Sequence, residues 1–151
     1  MRNYKIWLVF IVLLSFFGCE KKIDLNPHKM HWDRDMCQRC KMVVSERNHA
    51  AQIINPITGK TYYFDDIGCV VLWLKENEIK WADKAIIWVT DYKTGKWINA
   101  KEAKWSTTSI TPMAFGFVAY KEGSEPKDVE IIDFNEMSKR AIVLESKRID
   151  G

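Results

Sequence analysis

The chain has 151 residues, with 23 basic and 20 acidic side chains and a net charge of +3. Arg2 and Lys5 fall in the first 18 residues; without them the balance is 21 to 20, and no basic run is interleaved with stacking aromatics, which excludes a nucleic-acid binder. The aromatic content of 13% excludes a disordered chain, and the length suits one small domain or two very small ones packed together.

Arg2 and Lys5 form a short positive stretch ahead of an apolar run, Ile6–Phe17. That run is shorter than the ~20 residues a membrane-spanning helix needs, so it reads as the hydrophobic part of a signal peptide. Gly18, Cys19 and a charged Glu20-Lys21-Lys22 follow in order. This arrangement resembles a bacterial lipobox, in which Cys19 becomes the lipidated first residue of the mature chain. The expected organisation is a signal peptide at 1–18, a polar tether at 19–36 and a folded domain at 37–151. The expected location is the bacterial cell envelope, with the domain lipid-anchored to a membrane and facing the periplasm.

Ala50–Ile54 and Thr61–Phe64 are β-prone runs on either side of Asn55-Pro-Ile-Thr-Gly-Lys60, which predicts a hairpin. Met42–Val44 is a further short strand candidate. Asp65–Glu76 predicts a helix: Ile67, Val70, Val71 and Leu74 form one apolar stripe, and Asp65 or Asp66 is placed to cap it. Ala85–Ala100 is a second strand–turn–strand, and its Thr94-Gly95-Lys96 echoes Thr58-Gly59-Lys60. Ala114–Tyr120 alternates as a strand, and Asp133–Arg148 predicts a closing helix with Met137, Ala141 and Leu144 on one face. The expected class is α+β: two small related ββαβ units with antiparallel sheet and one helix each, at about 37–90 and 91–148.

With Cys19 lipidated, Cys37, Cys40 and Cys69 remain, an odd number that does not make a pure disulfide scaffold. Cys37-Gln-Arg-Cys40 follows a polar stretch rather than opening a helix after a strand, which is the wrong context for a thioredoxin-like pair. Lys41 stands where a covalent haem site needs histidine. A structural zinc site closes with four ligands, and His28, His31 and His49 sit at no finger-like spacing, so they read as surface residues. Cu(I) is soft, takes thiolate and thioether, and two or three donors suffice. Cys37 and Cys40 both reach one ion, with Met42 as a neighbouring thioether. Cys69 reads equally as a ligand or as a small residue buried against the sheet.

Met36-Cys-Gln-Arg-Cys-Lys-Met42, Ala50-Ala-Gln-Ile53, Tyr63-Phe-Asp-Asp-Ile-Gly-Cys69, Thr111-Pro-Met113 and Gly116–Tyr120, together with the lipobox Cys19, form an ordered set. In this set the chain resembles the nitrous-oxide reductase accessory lipoproteins, the NosL family, over most of its mature length. The resemblance implies two related ββαβ units and Cu(I) carried for a copper-dependent reductase or its assembly machinery. It implies no catalysis. It also makes Met113 a thioether ligand. In many members a histidine two residues after that methionine shares the copper, and here the position holds Phe115. The rival readings are a membrane-tethered thiol–disulfide oxidoreductase acting through Cys37 and Cys40, and a structural lipoprotein with a Cys37–Cys40 disulfide.

Overall fold

A computed structural model describes residues 22–150. The signal-peptide run and Cys19 lie outside the described residues. Two hairpins of the same turn chemistry make the first sheet. β1 (Ala51–Ile54) pairs antiparallel with β2 (Thr61–Phe64), and β3 (Ile86–Thr90) pairs antiparallel with β4 (Trp97–Asn99). In the first turn the Asn55 side chain accepts from Ile57 N at 2.8 Å, and Gly59, at φ 73°, donates to Asn55 O. In the second, Asp91 accepts from Thr94 N at 2.9 Å, and Gly95, at φ 66°, donates to Asp91 O. Thr58 and Thr94 each accept from the following lysine's N–H at 3.3 Å. The repeated Thr-Gly-Lys is thus the sequence of one turn used twice: a side-chain acceptor opens it and a left-handed glycine closes it.

The two hairpins join through β1 and β3, in the order β2-β1-β3-β4. β1 is buried on both faces. Its Gln52 explains one of them: it accepts from His28 N at 2.8 Å and donates to His28 O, holding the N-terminal segment against the sheet. Trp88 Nε1 donates to Leu25 O farther along the same segment, and Met30 joins the buried core. α1 (Ile67–Glu76) also packs against β1 and β2. Residues 28–36, in the span read from sequence as tether, therefore lie on the domain.

β5 (Lys104–Ser106) pairs antiparallel with β6 (Val118–Tyr120) and β7 (Ile131–Ile132), giving a second sheet ordered β6-β5-β7. α2 (Phe134–Asp150) follows, buries Met137 and Ala141, and packs on α1. The α+β class is as expected, with two antiparallel sheets and two α-helices among the described residues. β4 completes the first sheet, so the second consists of β5, β6 and β7. The strand expected over 114–120 is confined to 118–120, because Ala114 (φ 56°) and Gly116 (φ 83°) are left-handed and break the extended backbone. Met42–Val44 forms no strand; Val43 makes a single bridge to Met36. No helix of the described residues is long and apolar enough to cross a membrane.

Asp66 ties these parts together. Its backbone is extended, and its Oδ1 accepts from Gly68 N at 3.0 Å, capping α1. Its Oδ2 accepts from Thr111 Oγ1 at 2.6 Å and from Met113 N at 3.1 Å. Burial raises its carboxyl above the usual range, and these three donors oppose that rise. Gly68 beside it has no room for a side chain, since a Cβ there would stand 2.1 Å from the Phe115 ring. Asp66→Ala removes the cap and orphans two buried donors, so it is expected to cost roughly 2–4 kcal/mol, read as a shift in the urea midpoint at unchanged slope.

Candidate metal centre

Cys37 and Cys40 sit on a tight hairpin outside both sheets. Cys37 N donates to Met42 O at 2.8 Å and Lys41 N to Cys37 O at 3.1 Å, with Lys41 left-handed at φ 62°. Gln38 N donates to Tyr63 O at 2.8 Å, which docks this hairpin along the edge strand β2. The end of β2 runs directly into Asp65 and the Asp66 cap, and one turn of α1 places Cys69 beside them.

The result is a group of four donors, Cys37, Cys40, Asp65 and Cys69, whose ligand atoms all lie within 4.8 Å of one another. Cys37 and Cys69 are fully buried, Asp65 nearly so, and Cys40 is half-buried. All three described cysteines are free thiols. The structure therefore brings together the paired cysteines and Cys69. From the sequence, Asp65 is legible only as a possible helix cap. Its signal in the sequence was the doubled acid of Asp65-Asp66 four residues ahead of Cys69, where one carboxylate caps and the other is left to face the sulfurs.

Met42 lies across the hairpin from Cys37 and is 50% exposed. Met113 is partly buried against the core, with its N–H on Asp66. Both methionines flank the group's framework. The histidines lie elsewhere: His28 bonds Gln52 and Thr61, His31 faces Asp35, and His49 packs against Tyr92. Phe115 is buried over Gly68, with the Arg148 guanidinium 4.5 Å above its ring.

The protons of this group are unevenly shared. Donation from the Cys69 thiol, helped by the N–H groups of Asp65 and Cys40, holds the Cys37 thiol down to about 7 against the opposing effect of burial. The Cys69 thiol is driven far above the ordinary range, first by its hydrogen bond to Cys37 and then by burial. Burial, together with the neighbouring Cys37 charge, pushes Cys40 up to about 12, and its Sγ lies 3.3 and 3.4 Å from the two Asp65 oxygens. Cys37 is thus the sulfur favoured to ionise first, while the Cys69 and Cys40 thiols hydrogen-bond to Cys37 and Asp65. A soft cation would replace those protons with its own charge. Three sulfurs and one oxygen suit Cu(I), and they also suit tetrahedral Zn(II).

The NosL family model matches residues 28–140. No curated protein sequence matches the chain. Among solved structures, the crystal structure of the copper chaperone NosL from Shewanella denitrificans is similar, with a TM-score of 0.57 and 16% identity. The match covers 74% of this chain and 96% of that one.

A thiolate absorbance titration of the reduced, metal-free protein is expected to show one cysteine ionising near 7 and the other two above the ordinary thiol range. Cys69→Ala deletes the donor that stabilises the Cys37 thiolate, so the first midpoint should rise. A first midpoint that stays in place would refute the Cys69-to-Cys37 hydrogen bond.

Proposed function

This chain belongs to the NosL family, and on that footing we propose that it is a Cu(I)-binding metallochaperone of the bacterial envelope, without catalysis of its own. The observation that carries this reading is the buried Cys37–Cys40–Cys69–Asp65 group. Cu(I) bound by thiolates from Cys37, Cys40 and Cys69 is held away from water and oxygen. Asp65 accepts a hydrogen bond from the Cys40 thiol in the free protein and remains a weak oxygen donor beside the ion. Met42, half in solvent, and Met113 are the thioethers proposed to take the ion as thiolates let go. Delivery is stepwise exchange of one soft donor for another, onto a copper-dependent reductase or its assembly machinery; nitrous-oxide reductase is the acceptor the family points to.

The thiol–disulfide alternative asks for a different arrangement. A redox pair exposes its low-pKa thiolate as nucleophile. Here the low-pKa sulfur, Cys37, is fully buried, whereas the accessible one, Cys40, is pushed up to about 12. That inversion favours a metal site.

Residues 1–18 are taken as the signal peptide and Cys19 as the lipidated residue, with the segment that follows spanning from the membrane to the domain. Two or more acyl chains hold a protein stably to a bilayer, whereas one binds only marginally. Cys19→Ala is therefore expected to abolish metabolic lipid labelling and to block processing of the leader. A wild-type protein without lipid label would refute the anchor.

Competition with a Cu(I) chelator under reducing conditions tests the metal reading. Cys37→Ser, Cys40→Ser and Cys69→Ser are each expected to weaken Cu(I) binding by at least about tenfold, or about 1.4 kcal/mol. Asp65→Asn should weaken it less, and Met113→Ile should do so only if the thioether binds, because that swap nearly conserves volume. Affinity should fall as pH drops, since protons compete for the thiolates. Unchanged affinity in the triple cysteine variant, or preference for Zn(II), would overturn the reading.

A further inference from the structure

Residues 38–41 form an arm between the paired cysteines. It carries Cys40, the least buried donor of the group and so the point where an ion passes between the site and solvent. One end of the arm is held by Gln38 N on Tyr63 O, and the other turns through left-handed Lys41. In its middle, Arg39 reaches across both helices. Its Nε donates to the two Glu76 oxygens at 3.1 and 3.0 Å, and its Nη2 donates to Glu76 Oε1 at 2.8 Å and to Glu145. Glu76 ends α1, and Glu145 lies in α2.

The chain of charges continues. Glu145 Oε2 lies 3.5 Å from Arg148 Nη1, and Arg148 Nη2 donates to Ala114 O at 2.7 Å while its guanidinium covers Phe115. The last turns of α2 therefore hold both the cysteine arm and the 111–116 loop that Asp66 anchors from below. The Arg39 side chain is only 17% exposed and Glu145 18%, so that pair is screened less than a surface pair, whereas Glu76 is 47% exposed and its pair with Arg39 stays open to salt. A guanidinium fork with two carboxylates also fixes direction in a way a lone ammonium cannot.

We propose that Arg39 is a positioning residue for the metal site: through Glu76 and Glu145 it latches the arm closed over the bound ion and sets how fast the ion enters and leaves. This rests on the reading of the cysteine group as a metal site. While the closed form dominates, affinity is that of the closed form, and both rates scale with the small open fraction. Weakening the latch therefore speeds exchange and leaves affinity nearly constant. A merely structural role for Arg39 would loosen the whole group instead.

The test compares the full-length reduced protein with Arg39→Gln, Glu145→Gln and Arg39→Lys. Iodoacetamide labelling of the metal-free protein, resolved by peptide mass spectrometry, reads the opening at each cysteine. Removing a nearby positive charge by itself makes Cys40 less acidic and slower to alkylate, so faster labelling reports opening. Arg39→Gln is expected to speed Cys40 labelling about tenfold, with Cys37 and Cys69 still protected, and Arg39→Lys to restore part of the protection. Stopped-flow transfer of Cu(I) to bicinchoninate should quicken by a similar factor, with affinity changed by less than about twofold. Added salt should quicken the wild type more than the variant. Unaltered Cys40 labelling, or equal acceleration at all three cysteines, would overturn the latch. A wild type that binds no Cu(I) would overturn the metal reading, while Cys40 labelling would still decide whether the arm is latched.

Discussion

The site depends on one buried carboxylate. Asp66 caps α1 through Gly68 N and bonds Thr111 and Met113 with its other oxygen, so a single side chain fixes the start of the helix and the approach of the 111–116 loop. A helix start fixed at Ile67 puts Cys69 in the first turn, facing the hairpin that carries Cys37 and Cys40. It also fixes Asp65, one residue earlier, at the end of β2. Burial makes the Asp66 carboxyl costly to ionise, and three donors share that charge. The arrangement is rigid for that reason: moving either the helix or the loop would leave a buried polar group unpaired.

On this frame the sulfur group balances two opposing demands. Burial protects soft donors and strengthens their interactions, yet it penalises every negative charge brought in without a cation. Three thiolates and a carboxylate within 4.8 Å of one another would repel strongly. The hydrogen bonds of the free protein ease this by favouring ionisation at Cys37 first, with Cys69 and Cys40 holding their protons against Cys37 and Asp65. The hydrogen bonds that stabilise the free form run along the lines on which a cation would later sit.

Features set by local chemistry were legible in the sequence. Asn55 and Asp91 each open a turn that closes on a left-handed glycine, so the repeated Thr-Gly-Lys marked both hairpins of the first sheet. The apolar stripe and a preceding acid marked α1. Features set by distant partners were not. β5 and β7 have three and two residues, too short to show alternation, and exist because Trp105 and Ser106 find partners on both sides. Asp65 and Asp66 are adjacent and chemically identical, and only the extended backbone at Asp66 decides which caps and which faces the sulfurs. Cys69 stayed ambiguous because every residue from Ile67 to Trp73 is buried, so apolar patterning cannot separate a ligand from filling. The hairpin around Cys37 and Cys40 was legible as chemistry; its seat on the β2 edge, through Gln38 and Tyr63, was not.

Phe115 shows how the ligand set follows from packing. Its ring fills the space above Gly68, a glycine that admits no other side chain there, and Arg148 closes over it from α2. The position that the family resemblance associates with an imidazole is thus an apolar wedge between α1 and α2. The cysteine group itself presents sulfur and carboxylate on the described elements, and the Phe115 ring occupies the space beside the helix start. Without an imidazole at this position the group offers three thiols and a carboxylate, and protons compete with a metal for each sulfur. On the proposed reading, tightness of binding and ease of release fall to different parts: the buried thiols to holding an ion, and the half-buried Cys40 on its arm to the path by which it leaves.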